Sequence, residues 1–326
     1  MADAGRAETE QAGSARVRLM VTGNVNVDVL MGRLAPWPRA GTEVEVAQYA
    51  LRVGGALGNT ALALTALGAE ASYFANVGSD VLGDWLYEEL ARRGCTLERS
   101  SGETALTVGI SHPGGQRTFL SHLGHFRDFD ARAVHDAATT AAAGSLLLVS
   151  GYFLLPGLRA EALDLMASAR RRGVLTLLDT GWPTEGWTEA VKEEIFGLLP
   201  HCDFFLPNLE EAEALTGERK VASCLSQLNP HLAGRTIVKL GREGAGFLEH
   251  GKLVTVAAPQ VEVVDTVGAG DSFNAGFLAG LKRARPWQDA VTLAVHTASL
   301  AIASDPRRYP AWAELEASLT GDAAVR

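Results

Sequence analysis

Three cysteines in 326 residues, Cys95, Cys202 and Cys224, stand far apart and form no C-x-x-C pair. That excludes a disulfide framework and a cysteine zinc site, and thiols so few read as buried or incidental ones in a reducing compartment. No apolar run approaches the roughly 18 residues that a membrane span needs. Met1 to Ala15 is polar and rich in Ala, Gly and Glu, without the apolar core of a signal peptide, so residues 1–15 read as a disordered lead and the cytoplasm as the location. Positive charge is also short. Lys and Arg number 29 against 38 Asp and Glu, a net charge of −9, and the pI is near 5.4. Neither a nucleic-acid backbone nor an anionic membrane is an expected partner of such a chain. There is no G-x-G-x-x-G behind a strand, which leaves the dinucleotide fold without support. Gly246 to Lys252 does spell G-x-x-x-x-G-K, but Leu253 follows it, and Phe247-Leu248-Glu249-His250 are the bulky residues of a hairpin rather than a phosphate loop.

Apolar residues make up 47% and charged ones 21%, the composition of a globular protein with a large core. From Ala131 the pattern alternates strictly: helix 131–142, strand 145–149, helix 158–172, strand 174–178, helix 188–198, strand 204–206. Strands reading Leu-Leu-Leu-Val are buried on both faces, so the fold class is α/β, a mostly parallel sheet between helices. Ligands in such sheets gather at the carboxyl ends of strands, where Asp179 is a candidate without an evident partner. Two blocks interrupt the alternation. Residues 34–53, with Pro36, Pro38, Val44, Val46 and Tyr49, read as loop and strands; residues 104–126 read as a hairpin turning at Pro113-Gly114-Gly115. Together they predict a small β lid whose closure would keep water from the site.

The chain is organised around Asp265 to Leu281. An apolar segment, Val261 to Val264, predicts a strand; Gly268 and Gly270 predict a turn; Phe273, Phe277, Leu278 and Leu281 recur at helical spacing. The amides of Gly268, Ala269 and Gly270 can then converge at the head of a helix, where an anion is favoured. Asp271 beside them would accept the proton of an attacking hydroxyl, which is what phosphoryl transfer to an alcohol requires. The helix terminus is expected to keep it ionised. An ordinary N-cap carboxylate would look the same taken alone.

Asp265, Thr266, Gly268, Ala269, Gly270, Asp271 and Phe273 match Asp-Thr-x-Gly-Ala-Gly-Asp-x-Phe, and here the chain resembles the ribokinase-like (PfkB) carbohydrate kinases from about Val17 to Leu319. The resemblance implies a kinase domain over 16–320, Gly268 to Asp271 as anion hole, Asp271 as base and ATP as donor. Asn26 and Asp28, two apart and hence on one face of an extended segment, match the family's sugar ligands. Gly54-Gly55-Ala56-Leu57-Gly58-Asn59 matches Gly-Gly-x-x-x-Asn and implies sugar contacts from Gly55 and Asn59; Asp265 joins this substrate set. Ribokinase has a lysine where Ala56 stands, a departure that bears on ribose as the substrate. Asn208 and Glu211 match Asn-x-x-Glu, which implies a hold on Mg2+ beside the phosphates, although an Asn-capped acidic helix is the plainer reading. Lys239, Gly241 and Gly244 match the turn beneath the nucleotide, Thr266 joins them, and His296 or Thr297 falls where the adenine pocket is lined. The loop 304–310 is shorter than the family's Gly-Ala-rich one that helps bind a monovalent cation.

Asp80 reads as a helix cap, and His122 and His125 as imidazoles without metal geometry. The expected activity is transfer of the γ-phosphoryl group of ATP to a sugar or sugar-like hydroxyl. A nucleoside acceptor, with Tyr49, Phe119 and Phe126 around a base, and a non-catalytic sugar-binding protein are the alternatives. Lid edges could pair two copies into a homodimer.

Overall fold

A computed structural model describes residues 17–320 apart from Arg33, Pro36, 114–116 and 305–306. The lead over 1–15, Pro36 and the Gly114-Gly115 turn therefore lie outside the described residues. Six parallel strands form the central sheet in the order Arg235–Thr236, Phe204–Phe205, Leu175–Asp179, Leu146–Ser150, Leu19–Thr22, Ser72–Phe74. Successive side chains along a strand point to opposite faces, and here they supply two separate cores. Leu19, Leu146, Leu148, Leu177 and Phe204 face one side with Leu64, Phe277 and Leu293. Met20, Leu147, Val149, Leu178 and Phe205 face the other with Leu158, Leu165 and Ile195. That division is why the strands read as unbroken apolar runs. Truncating one of these leucines to alanine should cost about 2–5 kcal/mol.

The lid is a four-stranded sheet in the order Tyr49–Gly54, Asn26–Met31, Leu106–Ser111, Arg117–His122. The predicted hairpin of 104–126 is present. The first lid block differs from the expectation: Val44 and Val46 lie outside any strand, and the second strand of the lid is Asn26–Met31, immediately downstream of the first core strand. The G-x-x-x-x-G-K segment is a hairpin, Ala245–Glu249 with Lys252–Val256, turning at His250 and Gly251, both at positive φ, as a two-residue hairpin turn demands.

Two helices after the glycine turn, Ala269–Lys282 and Trp287–Ala301, pack against each other along a seam of small residues. A Cβ at Gly276 would lie 2.5 Å from Thr297 Oγ1, and one at Gly280 would lie 2.9 Å from the Ala290 side chain. The close approach fixes the head of the first helix relative to the sheet. Val261 to Val264 forms no strand; the amides of Val264 and Asp265 bond instead to the Ile302 carbonyl at the end of the second helix. Asp80 caps the helix Val81–Ala91 by accepting from Gly83 N–H. His125 is buried between Ala105 N–H and the Val25 carbonyl, a packing role. Among the described residues no helix is long and apolar enough to cross a membrane.

Candidate active site

Two cavities open at the carboxyl ends of the central strands, one of about 590 Å3 and one of about 270 Å3. The smaller is lined by Asn24, Asn26, Asp28, Gly55 and Asn59, with Thr107 and Phe119 from the lid and Thr180 and Trp182 after the strand Leu175–Asp179. The larger is lined by Asn208, Glu211, Lys239, Gly241, Gly244 and Thr266, with Val263, Val295, Ala298 and Ile302 as apolar wall. Asp179, Gly181, Gly268 and Asp271 line both. The two spaces meet at the glycine turn.

Gly268 caps the helix Ala269–Lys282 in the left-handed region, φ 72°, so Asp271 is the third residue of that helix. Ala269 N–H closes the turn onto the Thr266 carbonyl at 3.2 Å, and Ser272 N–H makes the first helical bond, to Gly268. Of the three amides expected to converge, Ala269's is thus turned back into the chain. Gly270 and Asp271 are left with the orphan donors that every helix start carries. Asp271 accepts from Asn59 Nδ2 at 2.9 Å, and Asn59 Oδ1 accepts from the Tyr309 hydroxyl at 3.3 Å. Asn59 therefore orients Asp271 as well as lining the smaller cavity. Burial first, then the charge of Asp179, pushes the Asp271 carboxyl up to about 7 against the opposing effects of Asn59, Lys239 and Arg307. The helix terminus alone does not hold the carboxyl in the ordinary range: desolvation and a neighbouring acid outweigh a half-charge dipole and leave the group partly ionised near neutral pH.

Asn26 and Asp28 project together from their lid strand, and Asn26 Nδ2 donates to Asp28 Oδ1 at 2.6 Å. Burial raises the Asp28 carboxyl to about 6, partly offset by Asn26 and by Arg307 and Arg52. The diglycine opposite serves both neighbours. A Cβ at Gly54 would collide with the Asp28 carboxyl, and Gly55 takes φ 87° as the cap of the helix Ala56–Ala66, close against Asn24.

In the larger cavity Lys239 Nζ pairs with Asp179 Oδ2 at 2.8 Å, and Asn274 donates to the same oxygen. This supplies the partner that Asp179 lacked in sequence. Burial alone would lower the Lys239 ammonium, but the charges of Asp179 and Glu211 hold it above its usual range. A Cβ at Gly270 would stand 3.4 Å from Lys239 Nζ, which puts this cation beside the turn. Asn208 and Glu211 form a reciprocal capping box on the helix Leu209–Thr216: Asn208 Oδ1 accepts from Glu211 N–H at 2.8 Å and Glu211 Oε2 accepts from Asn208 N–H at 2.9 Å. The plainer reading of that motif is therefore correct as local structure, and both residues still line the cavity. Burial and Asp179 push the Glu211 carboxyl up to about 7. As a divalent-cation site the fit is of the kind Mg2+ uses with nucleotides, few carboxylates and room for phosphate and water. Asp179 gives Oδ2 to Lys239 and Asn274 and keeps Oδ1, and Glu211 keeps one carboxylate oxygen beyond its cap bond.

Three expected residues lie elsewhere. His296 Nδ1 bonds Ser318 Oγ at 2.9 Å, turned to the helix Trp312–Thr320; the cavity face of its own helix carries Val295, Ala298, Ser299 and Ile302. Position 296 is one residue, and about 100°, off that face. Thr297 is buried against Leu293. Asp265 is buried and lines neither cavity. It bonds Val267 N–H and receives Arg52 at 2.7 Å, Arg117 at 2.5 Å and Arg307 at 3.0 Å. Burial would raise its carboxyl, but Arg117, Val267 N–H and the charge of Arg307 hold it below the usual carboxylate range. The arginines gave no signal in sequence, since each comes from a different, non-adjacent segment.

The pfkB family carbohydrate kinase model matches residues 17–312. The chain is 30% identical over 292 residues to the uncharacterized sugar kinase YegV of Escherichia coli (strain K12), covering 87% of this chain and 88% of that one. It is 28% identical over 273 residues to 2-dehydro-3-deoxygluconokinase of Bacillus subtilis (strain 168), covering 76% and 79%. A solved ribokinase of Arabidopsis thaliana, complexed with ribose and ATP, superposes with a TM-score of 0.77 at 21% identity, covering 92% of this chain and 97% of that one. With the matching motifs seated around one cleft, the chain belongs to the pfkB family of carbohydrate kinases, phosphotransferases that act on an alcohol.

Proposed function

We propose that the protein transfers the γ-phosphoryl group of ATP, seated in the larger cavity, to a hydroxyl of a neutral sugar or sugar-like molecule in the smaller one. The observation that carries this reading is the meeting of the two cavities at Gly268 and Asp271. A donor and an acceptor in these spaces would approach across a helix start with free amides and a carboxylate whose pKa lies near neutrality, the value at which a general base works best. The solved ribokinase of the same fold holds ribose and ATP together.

The contacts within the protein support the following roles. Asn26 and Asp28 grip adjacent hydroxyls of the acceptor, with Gly55 and Asn59 completing that wall. Thr180 Oγ1, buried without a hydrogen-bond partner among the described residues and lining the same cavity, is available to another hydroxyl. Asp271 takes the proton of the attacking oxygen as that oxygen bonds to the γ-phosphorus and the bond from phosphorus to the bridging oxygen of ADP breaks. The amides of Gly268, Gly270 and Asp271 and the Lys239 ammonium stabilise the charge of the migrating group. Thr266, Gly241, Gly244 and Asn208 border the nucleotide phosphates, and Val263, Val295, Ala298 and Ile302 offer a flat apolar wall to a base. Glu211 and Asn208 would hold Mg2+, which when bound with the nucleotide supplies neutralising charge to its phosphate oxygens. No cationic side chain lines the smaller cavity among the described residues, which favours a neutral acceptor over an acidic one.

A nucleoside acceptor is the second reading, favoured by Phe119 and Trp182, two half-exposed aromatic rings on the smaller cavity. Tyr49 lines neither cavity and Phe126 is buried in the core, so the other rings expected around a base are not there. The lid edges, Tyr49–Gly54 and Arg117–His122, expose Tyr49, Leu51 and Leu120, which supports a homodimer through the lid; light scattering showing a monomer would remove that part. ADP release measured against pentoses, hexoses, sugar acids and nucleosides tests the main reading. Turnover of neutral sugars is expected, and a chain that turns over only sugar acids or only nucleosides contradicts it.

A further inference from the structure

Arg307 is the least satisfied cation near the glycine turn. Its side chain is 8% exposed, and among the described residues Nε and Nη2 have no hydrogen-bond partner, while the Tyr309 side chain lies against the guanidinium. Nη2 stands 3.0 Å from Asp265 Oδ2, close enough for an ion pair but without an N–H aimed at the oxygen. A guanidinium normally spends its five donors in a planar fork on carboxylates or phosphates, and burying one with donors unpaired is costly. The cost has no structural return in lid closure, because Arg52 and Arg117 already join the two lid edges to the same carboxylate at 2.7 and 2.5 Å. The location is informative. A Cβ at Gly268 would lie 2.8 Å from Arg307 Nη1, so the guanidinium packs beneath the residue that caps the helix and lines both cavities. Its charge is felt by Asp28 and by Asp271 as well as by Asp265, and Tyr309, two residues on, bonds the Asn59 that orients Asp271.

We infer that Arg307 is a positioning residue for phosphoryl transfer, a fixed cation built into the chain that holds the Asp265 to Asp271 turn in shape and offsets the negative charge brought there by the migrating phosphoryl group. It acts through Gly268 and the carboxylates around it. Neutralising developing charge with a preorganised cation is among the largest contributions an active site makes. The inference rests on the reading that transfer takes place at this turn, and it adds a residue from the loop 304–310 that no motif of the chain contains.

The consequence for pH is specific. Asp271 faces Asp179 from the end of one core strand, Lys239 from the strand that follows the last core strand, Asn59 from the helix Ala56–Ala66, and Arg307 and Tyr309 from the C-terminal loop. Lys239 and Arg307 are the cations that favour its ionised form. Removing Arg307 should therefore move the acid limb of kcat/KM to higher pH, and an arginine that only held the loop together would not do that.

The test compares wild type, Arg307→Lys, Arg307→Gln and Arg307→Ala with ATP and an accepted sugar, each with its thermal midpoint. Arg307→Gln is expected to lose about 10- to 100-fold in kcat, with the KM of the sugar within about twofold and the acid limb shifted upward. Arg307→Lys should retain most of the rate, and guanidinium ion at non-denaturing concentration should restore part of it to Arg307→Ala. A Gln variant with wild-type kcat and pH profile would overturn the inference. So would a loss of rate that follows the loss of thermal stability, with neither guanidinium nor lysine rescue. A wild type that turns over while Asp271→Asn does so equally would instead sink the reading of the turn itself, so the two failures are distinguishable.

Discussion

The smaller and the larger cavity are built by different means. Around the smaller, the polar groups are mostly side chains: Asn24, Asn26, Asp28 and Thr107 are linked by hydrogen bonds through Asn26, and Asn59, from the helix beneath the lid, bonds Asp271. Around the larger, much of the lining is glycine and aliphatic residue, and among its polar members Asn208 and Glu211 are tied into a cap and Lys239 into an ion pair with Asp179. Side chains can be exchanged one at a time, whereas turns and caps are bound up with the backbone that makes them. A fold divided this way can change its acceptor while keeping its donor, and the acceptor is to be read from the side-chain wall.

That contrast can be broken side by side. Asp28→Ala should raise the KM of the acceptor by about 10- to 100-fold, the loss of a charge-assisted hydrogen bond, while the KM of ATP stays put; an equal rise in both would erase the distinction. Glu211→Gln should shift the Mg2+ requirement by about tenfold and leave acceptor KM alone, so an unchanged magnesium titration would remove Glu211 from the donor side. In the free enzyme, the base must be unprotonated, and kcat/KM should climb with pH until about 7, where Asp271 titrates, then level off. A limb near the ordinary carboxylate range would mean the burial around Asp271 is not felt in solution. The smallest effect concerns stability. A carboxyl raised from 3.8 to about 7 favours the fold in its neutral form, a contribution fully present at low pH and lost as pH rises through about 7. Asp271→Asn should therefore melt higher than wild type at pH 8 and no higher at pH 4, as thermal unfolding at the two values would show.

The central sheet was legible because its strands are buried on both faces and its helices alternate with them, and the glycine turn because φ 72° at Gly268 admits little else. Gly54 and Gly55 were legible as a motif, but their separate reasons, room for the Asp28 carboxyl and a positive φ, appear only in three dimensions. His296 was misplaced because a one-residue offset on a helix decides between the cavity and Ser318. Asp265 was read as touching substrate because its neighbours in sequence are site residues; the three arginines that occupy it come from segments 65 to 255 residues apart, beyond any local pattern. The upward shift of the Asp271 carboxyl was not legible, because a helix terminus is visible in sequence and desolvation is not.

The most direct test is Asp271→Asn measured three ways on one preparation: turnover, sugar binding and ATP binding by calorimetry. Turnover should fall by about a thousandfold with both affinities kept within a few-fold. Turnover at the native rate, or loss of one ligand's binding in step with the rate, would contradict a base standing where the two cavities meet.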